Sequence, residues 1–237
     1  MLHSMTPNSQ ALKRDGFRGV DGPVGGVNRP RVLESLASQG VTLHTDREEE
    51  IVGQGEAAEY CYVVVSGCVR TVRLMEDGRR QVGEFLLPGD MFGWEALEEH
   101  DFSAEAVTAA TLRRYPRRSL DLLAERDHDV ARRLREFGAR QLRAGRERML
   151  LLGRKSASER IASFLLEMAE RTGALENAPI ALPMSRTDIA DYLGLTIETV
   201  CRGLTQLQRQ GTIAIERARI VIRDRRALGV AGCETVH

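Results

Sequence analysis

Residues 185–202 read SRTDIADYLGLTIETVCR, which has the form of two short helices joined by a tight turn. Ile189 and Val200 are apolar at positions where the two helices would pack against each other. Gly194 stands where the chain must turn and takes a positive φ without strain. Thr196 is placed to cap the second helix. The stretch therefore predicts a helix-turn-helix.

The second of these helices carries a polar face. Glu198, Cys201 and Arg202 are spaced i, i+3 and i+4, so they share one side of the helix. In DNA-binding helix-turn-helix proteins this side enters the major groove, where Arg donates to guanine and Glu accepts from cytosine. We predict that Glu198 and Arg202 read bases and that Ile197 contacts a thymine methyl group. The alternative is an ordinary helical hairpin with a solvated charged face.

Two apolar runs after Gly211, Ile213–Ile215 and Ile220–Ile222, predict a β-hairpin, so the DNA-binding domain is expected to be winged. Polar and basic residues around both helices and the wing are candidates for contacts with the DNA backbone. These candidates are Ser185, Arg186, Thr187, Thr196, Thr199, Arg217 and Arg219.

The charge of the chain is balanced overall but unevenly distributed. Its 34 Lys and Arg residues equal its 34 Asp and Glu residues, yet residues 1–112 carry 10 basic and 18 acidic side chains and residues 113–160 carry 15 and 7. A basic run of this kind is usually a solvated helix face. The four cysteines are scattered without a Cys-x-x-Cys pair, which argues against a zinc site and favours a reducing compartment. No signal-peptide or membrane-spanning run is present, so we expect a cytoplasmic protein.

The N-terminal half shows a different pattern from the helix-turn-helix region. Residues 41–115 alternate apolar and polar side chains between turn signals, as in Tyr60–Val65 and Val69–Leu74. Short strands at this spacing predict an antiparallel sandwich or barrel. The chain thus divides into a mobile N-terminal tail (1–30), a β-domain (31–118), a long helix (119–154), the winged helix-turn-helix domain (155–226) and a C-terminal tail (227–237).

The long helix has apolar residues repeating every seven positions, with a second series four residues on, which is the pattern of a coiled-coil seam. We predict that this seam forms a homodimer interface, the alternative being a helix packed on its own β-domain. The predicted interface residues are Val130, Leu134, Phe137, Gln141, Ala144, Arg148 and Leu151.

Three further motifs make the pattern specific: IVGQGE at 51–56, YVVVSGCV at 62–69 and PGDMFG at 88–93. With the helix-turn-helix they resemble the CRP/FNR superfamily of bacterial transcription regulators over residues 41–226. The resemblance implies an α+β fold: an N-terminal antiparallel β-roll (jelly-roll-like), a long dimerisation helix and a C-terminal winged helix-turn-helix. It also implies a homodimer whose partners are palindromic double-stranded DNA and RNA polymerase, and no membrane.

The residues that hold known effectors in this superfamily are missing. Cyclic-nucleotide binders resemble this chain at the turn ending in Gly93, but carry Glu where Trp94 stands here. They also carry an Arg-Ser pair downstream, where residues 101–107 hold Glu105 and no Arg. A buried phosphate needs a cationic partner. Iron–sulfur members use an N-terminal cysteine group, but residues 1–60 contain no cysteine. We therefore expect no cofactor, no metal and no cyclic nucleotide.

The resemblance is to the FNR branch, whose reading helix carries Glu-x-x-Ser-Arg. Here Glu198 and Arg202 match, and Cys201 replaces Ser. The match implies a TTGA-like inverted repeat. Within the branch the chain resembles the FixK group, which implies an activator of microaerobic respiration, denitrification and nitrogen-fixation genes. Because Cys201 lies beside Arg202 near a helix start, we predict that its oxidation inhibits DNA binding.

An enzyme is the least supported class. The five histidines are scattered, and no nucleophile–base arrangement is tied to a motif. The remaining alternative is a regulator that depends on an unidentified small molecule bound in the β-roll.

Overall fold

The computed structural model describes residues 39–174, 177–216 and 219–231. The predicted N-terminal tail (1–30) lies outside these residues, as does most of the predicted C-terminal tail. The described chain is an α+β structure with a β-domain, two central helices and a helical C-terminal domain, as the sequence predicts.

The β-domain consists of two antiparallel four-stranded sheets with strand orders β1-β8-β3-β6 and β2-β7-β4-β5. Their core joins side chains of both sheets, among them Tyr62 and Leu112 from one and Val69 from the other. The strands are β1 Val41–Thr45, β2 Glu50–Val52, β3 Tyr60–Ser66, β4 Val69–Leu74, β5 Arg80–Leu86, β6 Met91–Phe92, β7 Ser103–Ala106 and β8 Ala110–Pro116.

The region 119–154 is two helices, not the single helix that the sequence predicted. Helix α1 covers Arg117–Arg126 and helix α2 covers His128–Arg154. Asp127 separates them in an extended conformation, and its side chain accepts hydrogen bonds from the backbone N–H groups of Asp129 and Val130. The break follows from this cap, since a helix cannot run through a residue that caps the next one.

The C-terminal domain begins with α3, Ala157–Arg171, which starts at a capping box formed by Ser156 and Glu159. The strand β9 (Pro179–Ala181) joins the wing hairpin, β10 Ile213–Glu216 and β11 Arg219–Ile222, in a sheet of order β10-β11-β9. Helices α4 (Arg186–Leu193) and α5 (Ile197–Arg209) form the helix-turn-helix, and α6 covers Arg225–Ala231.

The position of α6 corrects the predicted tail at 227–237. Leu228 is fully buried in the same apolar core as Ile161 and Phe164 of α3. Residues 225–231 therefore belong to the folded domain, because an apolar side chain that is removed from water stabilises its docking.

Candidate nucleic-acid interface

Local hydrogen bonds fix the start and the end of the first helix of the helix-turn-helix. Ser185 and Asp188 form a reciprocal capping box at the start of α4. Gly194 ends the helix with φ 60° and ψ 44°, a left-handed conformation in which a Cβ would be strained. The Thr196 side chain then accepts from the N–H of Thr199 at 3.3 Å and starts α5. These caps confirm the turn that the sequence predicts.

Helix α5 has one buried face and one exposed face. Val200 and Leu204 are buried against the rest of the domain, whereas Glu198, Cys201 and Arg202 are exposed. The Arg202 guanidinium has one contact of 3.5 Å, to the Thr199 hydroxyl. An exposed pair of opposite charges at this spacing is free to meet base edges.

The charge state of Glu198 suits an acceptor. Hydrogen bonds from its own backbone N–H and from the Thr196 side chain lower the pKa of Glu198, and the positive charge of Arg202 adds to this shift. The carboxylate is therefore ionised at neutral pH and accepts without donating. Ile197 is exposed at the start of the same helix.

The candidate backbone contacts differ in what they do in the free protein. The hydroxyls of Ser185 and Thr196 are already engaged as helix caps. Thr187 is exposed in the first turn of α4, where N–H groups favour an anion. Arg186 is half-buried in that turn, and Thr199 is half-buried in α5. Arg219 is exposed at the start of β11, and Arg217 lies outside the described residues.

Gly203 has a packing role that the sequence did not indicate. A Cβ at this position would lie 2.4 Å from Cδ1 of Ile161 in α3. The missing side chain lets α5 and α3 approach closely, since real Cβ contacts at that distance do not occur. No local pattern in the sequence shows this, because Ile161 is 42 residues away.

The structure corrects two members of the predicted dimer seam. Val130 and Leu151 are only 4% and 9% exposed. Val130 packs with Leu134 and Phe137 against the β-domain. Leu151 belongs to the core of the C-terminal domain. The heptad pattern here records packing within the chain, which was the alternative for this helix.

The other predicted seam residues lie beside this inner face. Gln141 and Arg148 are half-buried and Ala144 is exposed. The guanidinium of Arg148 lies over the ring of Tyr192, 3.5 Å from its centroid, and one of its nitrogens also contacts the Tyr192 hydroxyl. Arg148 thus joins α2 to the helix-turn-helix within one chain.

A second apolar stripe on α2 is exposed. Leu142 and Met149 are 58% and 74% exposed, Leu150 lies beside them, and Gly145 falls between them at spacings of three and four residues. We call Leu142, Gly145 and Met149 the exposed stripe. Large apolar side chains in such a row typically mark a contact surface.

The three described cysteines fall into two kinds of environment. Cys61 and Cys68 are buried, and burial raises the pKa of each thiol to about 12. Such thiols stay protonated and are poor targets for oxidants. Cys201 is exposed on the reading face of α5.

The turn that holds cyclic nucleotide in related proteins is occupied here by aromatic packing. The ring of Trp94 meets that of Phe137 of α2 edge-on at 5.2 Å between centroids. Glu105, which we expected to repel a phosphate, accepts a 2.8 Å hydrogen bond from Nε of Arg70. No group of three or more His, Cys, Asp or Glu side chains within residues 39–174, 177–216 and 219–231 is arranged to hold a metal ion.

Two family models match the chain in the same order as its domains. A cyclic nucleotide-binding domain matches residues 42–127, and a Crp-like helix-turn-helix domain matches residues 159–230. Together these matches cover the β-domain with the first central helix, and most of the C-terminal domain, including α4, α5 and the wing. The fold and the exposed reading helix thus define a DNA-binding transcription regulator.

The chain belongs to the CRP/FNR family of bacterial transcription regulators. It is similar to the nitrogen fixation regulation protein FixK of Azorhizobium caulinodans, with 48% identity over 84% of this chain and 82% of the relative. It is 42% identical to FixK of Bradyrhizobium diazoefficiens over 81% of this chain and 82% of the relative. The structure of FixK2 from Bradyrhizobium japonicum matches with a TM-score of 0.79 and 46% identity, covering 83% of this chain and 99% of that one.

These comparisons confirm the predicted resemblance, the fold class and the function as a regulator, and they confirm that the chain is not an enzyme. No helix in the described part of the chain has the length and hydrophobicity required to cross a membrane.

Proposed function

We propose that this protein binds a TTGA-like inverted repeat as a homodimer and activates transcription. The observation that carries the proposal is the exposed face of α5, where Glu198 and Arg202 lie one helical turn apart with no ion-pair partner in the described structure except each other. In this proposal Arg202 donates to guanine, Glu198 accepts from cytosine and Ile197 contacts a thymine methyl group. A two-fold pair of such helices about 34 Å apart matches one turn of DNA.

The exposed stripe on α2 is our candidate for the dimer contact, in place of the seam read from the sequence. Leu142 and Met149 are apolar, and Gly145 between them allows two helix backbones to approach closely. A pair of α2 helices in contact along this stripe would bury both apolar side chains. The contact would also leave Val130 and Leu151 in their present cores.

The gene set follows from the relatives. Two curated relatives are nitrogen fixation regulation proteins, and both are FixK. We infer that this regulator acts with RNA polymerase on genes of nitrogen fixation and microaerobic respiration, including denitrification. Purification of promoter fragments bound by the protein in cells grown at low oxygen tests this assignment directly.

The same proposal holds that binding needs neither cyclic nucleotide nor iron–sulfur cluster. Trp94 and Phe137 are packed together where a ligand would meet the central helix, and Glu105 is paired with Arg70. The test is operator binding by the bare purified protein, measured with and without cyclic nucleotides. Tight binding without any ligand is expected, and binding only after addition of a small molecule would contradict it.

One observation favours the second candidate, a regulator that senses a small molecule in the β-roll. Trp94 Nε1 and His100 Nδ1 are buried and make no hydrogen bond. Buried polar atoms without a partner are uncommon, so a small polar molecule or a water would satisfy them. Since Trp94 is the one tryptophan of the chain, its fluorescence reports any ligand that enters there.

Replacement of Arg202 by Ala is expected to relax the base preference of the protein. A bidentate Arg–guanine contact contributes about 1–3 kcal/mol of discrimination, and this should vanish at the guanine of the half-site alone. Competition binding with operators changed at single positions measures it. Arg219→Ala is the control, because loss of a phosphate contact should weaken all sequences alike and reduce the salt dependence. A uniform loss for Arg202→Ala would contradict its assigned role.

Oxidation is expected to act on DNA binding through Cys201. Peroxide converts an accessible thiolate to sulfinic or sulfonic acid, whose negative charge would face the DNA phosphates. Cys61 and Cys68 are shielded by burial. Operator affinity of the wild type should fall about tenfold or more after peroxide, whereas Cys201→Ala should keep its affinity. Equal losses in the two proteins would remove Cys201 from this role.

A further inference from the structure

A cluster of charged side chains joins the β-domain to the first helix of the helix-turn-helix. Arg70 of β4 and Asp188 of α4 are 4% and 2% exposed, and Arg70 Nη1 donates to Asp188 Oδ1 at 2.8 Å. The other guanidinium nitrogens donate to Glu105 at 2.8 Å and to Glu48 at 2.5 Å. A buried ion pair costs desolvation energy, so full hydrogen bonding of the guanidinium is what makes it tolerable.

Asp188 performs two tasks with its two oxygens. Its Oδ2 accepts from the N–H and the hydroxyl of Ser185, at 2.9 and 2.7 Å, and so completes the cap of α4. Its Oδ1 accepts from Arg70 and, at 3.0 Å, from Arg80 of β5. The group that begins α4 is therefore the same group that the β-domain holds.

A second ion pair and an aromatic contact fix the rest of α4. Arg80 Nε donates to Asp191 Oδ2 at 2.9 Å, and the Gln81 side chain donates to the backbone carbonyl of Asp191. The rings of Phe85 and Tyr192 are 5.0 Å apart between centroids. The contact thus extends along α4 from its start to its final turn.

The same contact leaves α5 free. Every hydrogen bond of this cluster reaches α4, while Glu198 and Arg202 point away from the β-domain and are exposed. Helix α5 packs directly on α4, with Gly194 as the turn between them. Whatever fixes α4 therefore also fixes the direction of the reading face.

We propose that Arg70, with Arg80, is a positioning residue for DNA recognition. The cluster of Arg70, Arg80, Asp188 and Asp191 holds α4 in the arrangement that presents the reading helix, so the β-domain acts as a rigid support where other regulators use a bound effector. This inference rests on the proposed DNA-binding function and adds the residues that make binding independent of a ligand.

The experiment is a double-mutant cycle on the full-length protein with Arg70→Met, Asp188→Asn and both together. We expect each single variant to lose about tenfold or more in operator affinity, and the double variant to lose little beyond the worse single one. The preference for guanine and the salt dependence should stay unchanged, since Arg70 touches neither base nor phosphate. Amide hydrogen exchange should accelerate in α4 and not in α3.

The matched control is Arg79→Met, which removes an exposed ion pair with Asp77 in the same β4–β5 hairpin without touching α4. Its affinity should equal that of the wild type. If Arg70→Met does not fold, Arg80→Met tests the same cluster at a less buried position. Variants that are folded and dimeric and bind as tightly as the wild type, or more tightly, would overturn the proposal. Failure of the wild type to bind the inverted repeat would instead overturn the proposed function.

Discussion

Leu142→Glu is expected to convert the protein to a monomer. A two-fold contact along the exposed stripe would place two carboxylates face to face in an apolar interface, where neither has a cationic partner. A monomer reaches one half-site only, and the loss of the linked second contact should lower operator affinity by about 10²–10⁴-fold. Analytical ultracentrifugation measures the association, and titration of the palindrome measures the affinity.

Ala144→Glu is the matched control for this experiment. Ala144 belongs to the seam predicted from the sequence and is also exposed on α2, but it lies about 200° around the helix from Leu142. The protein with Ala144→Glu should remain dimeric. A dimer in both variants would contradict the exposed stripe, and a monomer in the Ala144→Glu variant alone would restore the original seam.

Tyr192→Ala is expected to cost about 3–5 kcal/mol of unfolding free energy, the usual range for a large aromatic side chain removed from a core. Tyr192 is fully buried between Phe85 and Phe164 at the junction of the two domains. Its hydroxyl also donates to the carboxylate of Glu167 at 2.9 Å. Because domains are typically stable by about 5–15 kcal/mol, such a loss is a large fraction of the total.

Tyr192→Phe separates the two contributions, since it removes the hydroxyl and keeps the ring. Its cost should be about 1.5–3 kcal/mol, the range for a hydrogen bond to a charged group. Urea denaturation followed by the fluorescence of Trp94 measures both variants. A loss below about 1 kcal/mol for Tyr192→Ala would show that the aromatic junction does not stabilise the protein.

Local patterns predicted most secondary structure well. The strand β4 runs over the predicted Val69–Leu74, and Thr196 caps α5 as expected. Gly194 adopts the positive φ that its place in the turn required. These features depend on residues within one or two turns of each other, and the sequence displays such neighbours directly.

The seam in α2 was misread because apolar periodicity does not identify the partner surface. Val130 and Phe137 repeat as in a coiled coil, yet they pack against the β-domain of the same chain. The break at Asp127 had a visible signal, a capping residue before a new helix, that the long period obscured.

The ion cluster at the domain junction could not be predicted from sequence. Arg70 and Asp188 are 118 residues apart, and each stands among other charged residues. Only the packing of β4 and β5 against α4 brings them together. Arg70 would be taken for an exposed strand residue, since arginine is rarely buried without a partner.

The most direct test of the account is selection of bound sites from random double-stranded DNA by the bare full-length protein. The account predicts enrichment of paired TTGA-like half-sites in inverted orientation, with centres about one helical turn apart. Enrichment of unpaired half-sites, or of no sequence above background, would contradict the claim that two copies of Glu198 and Arg202 read DNA together.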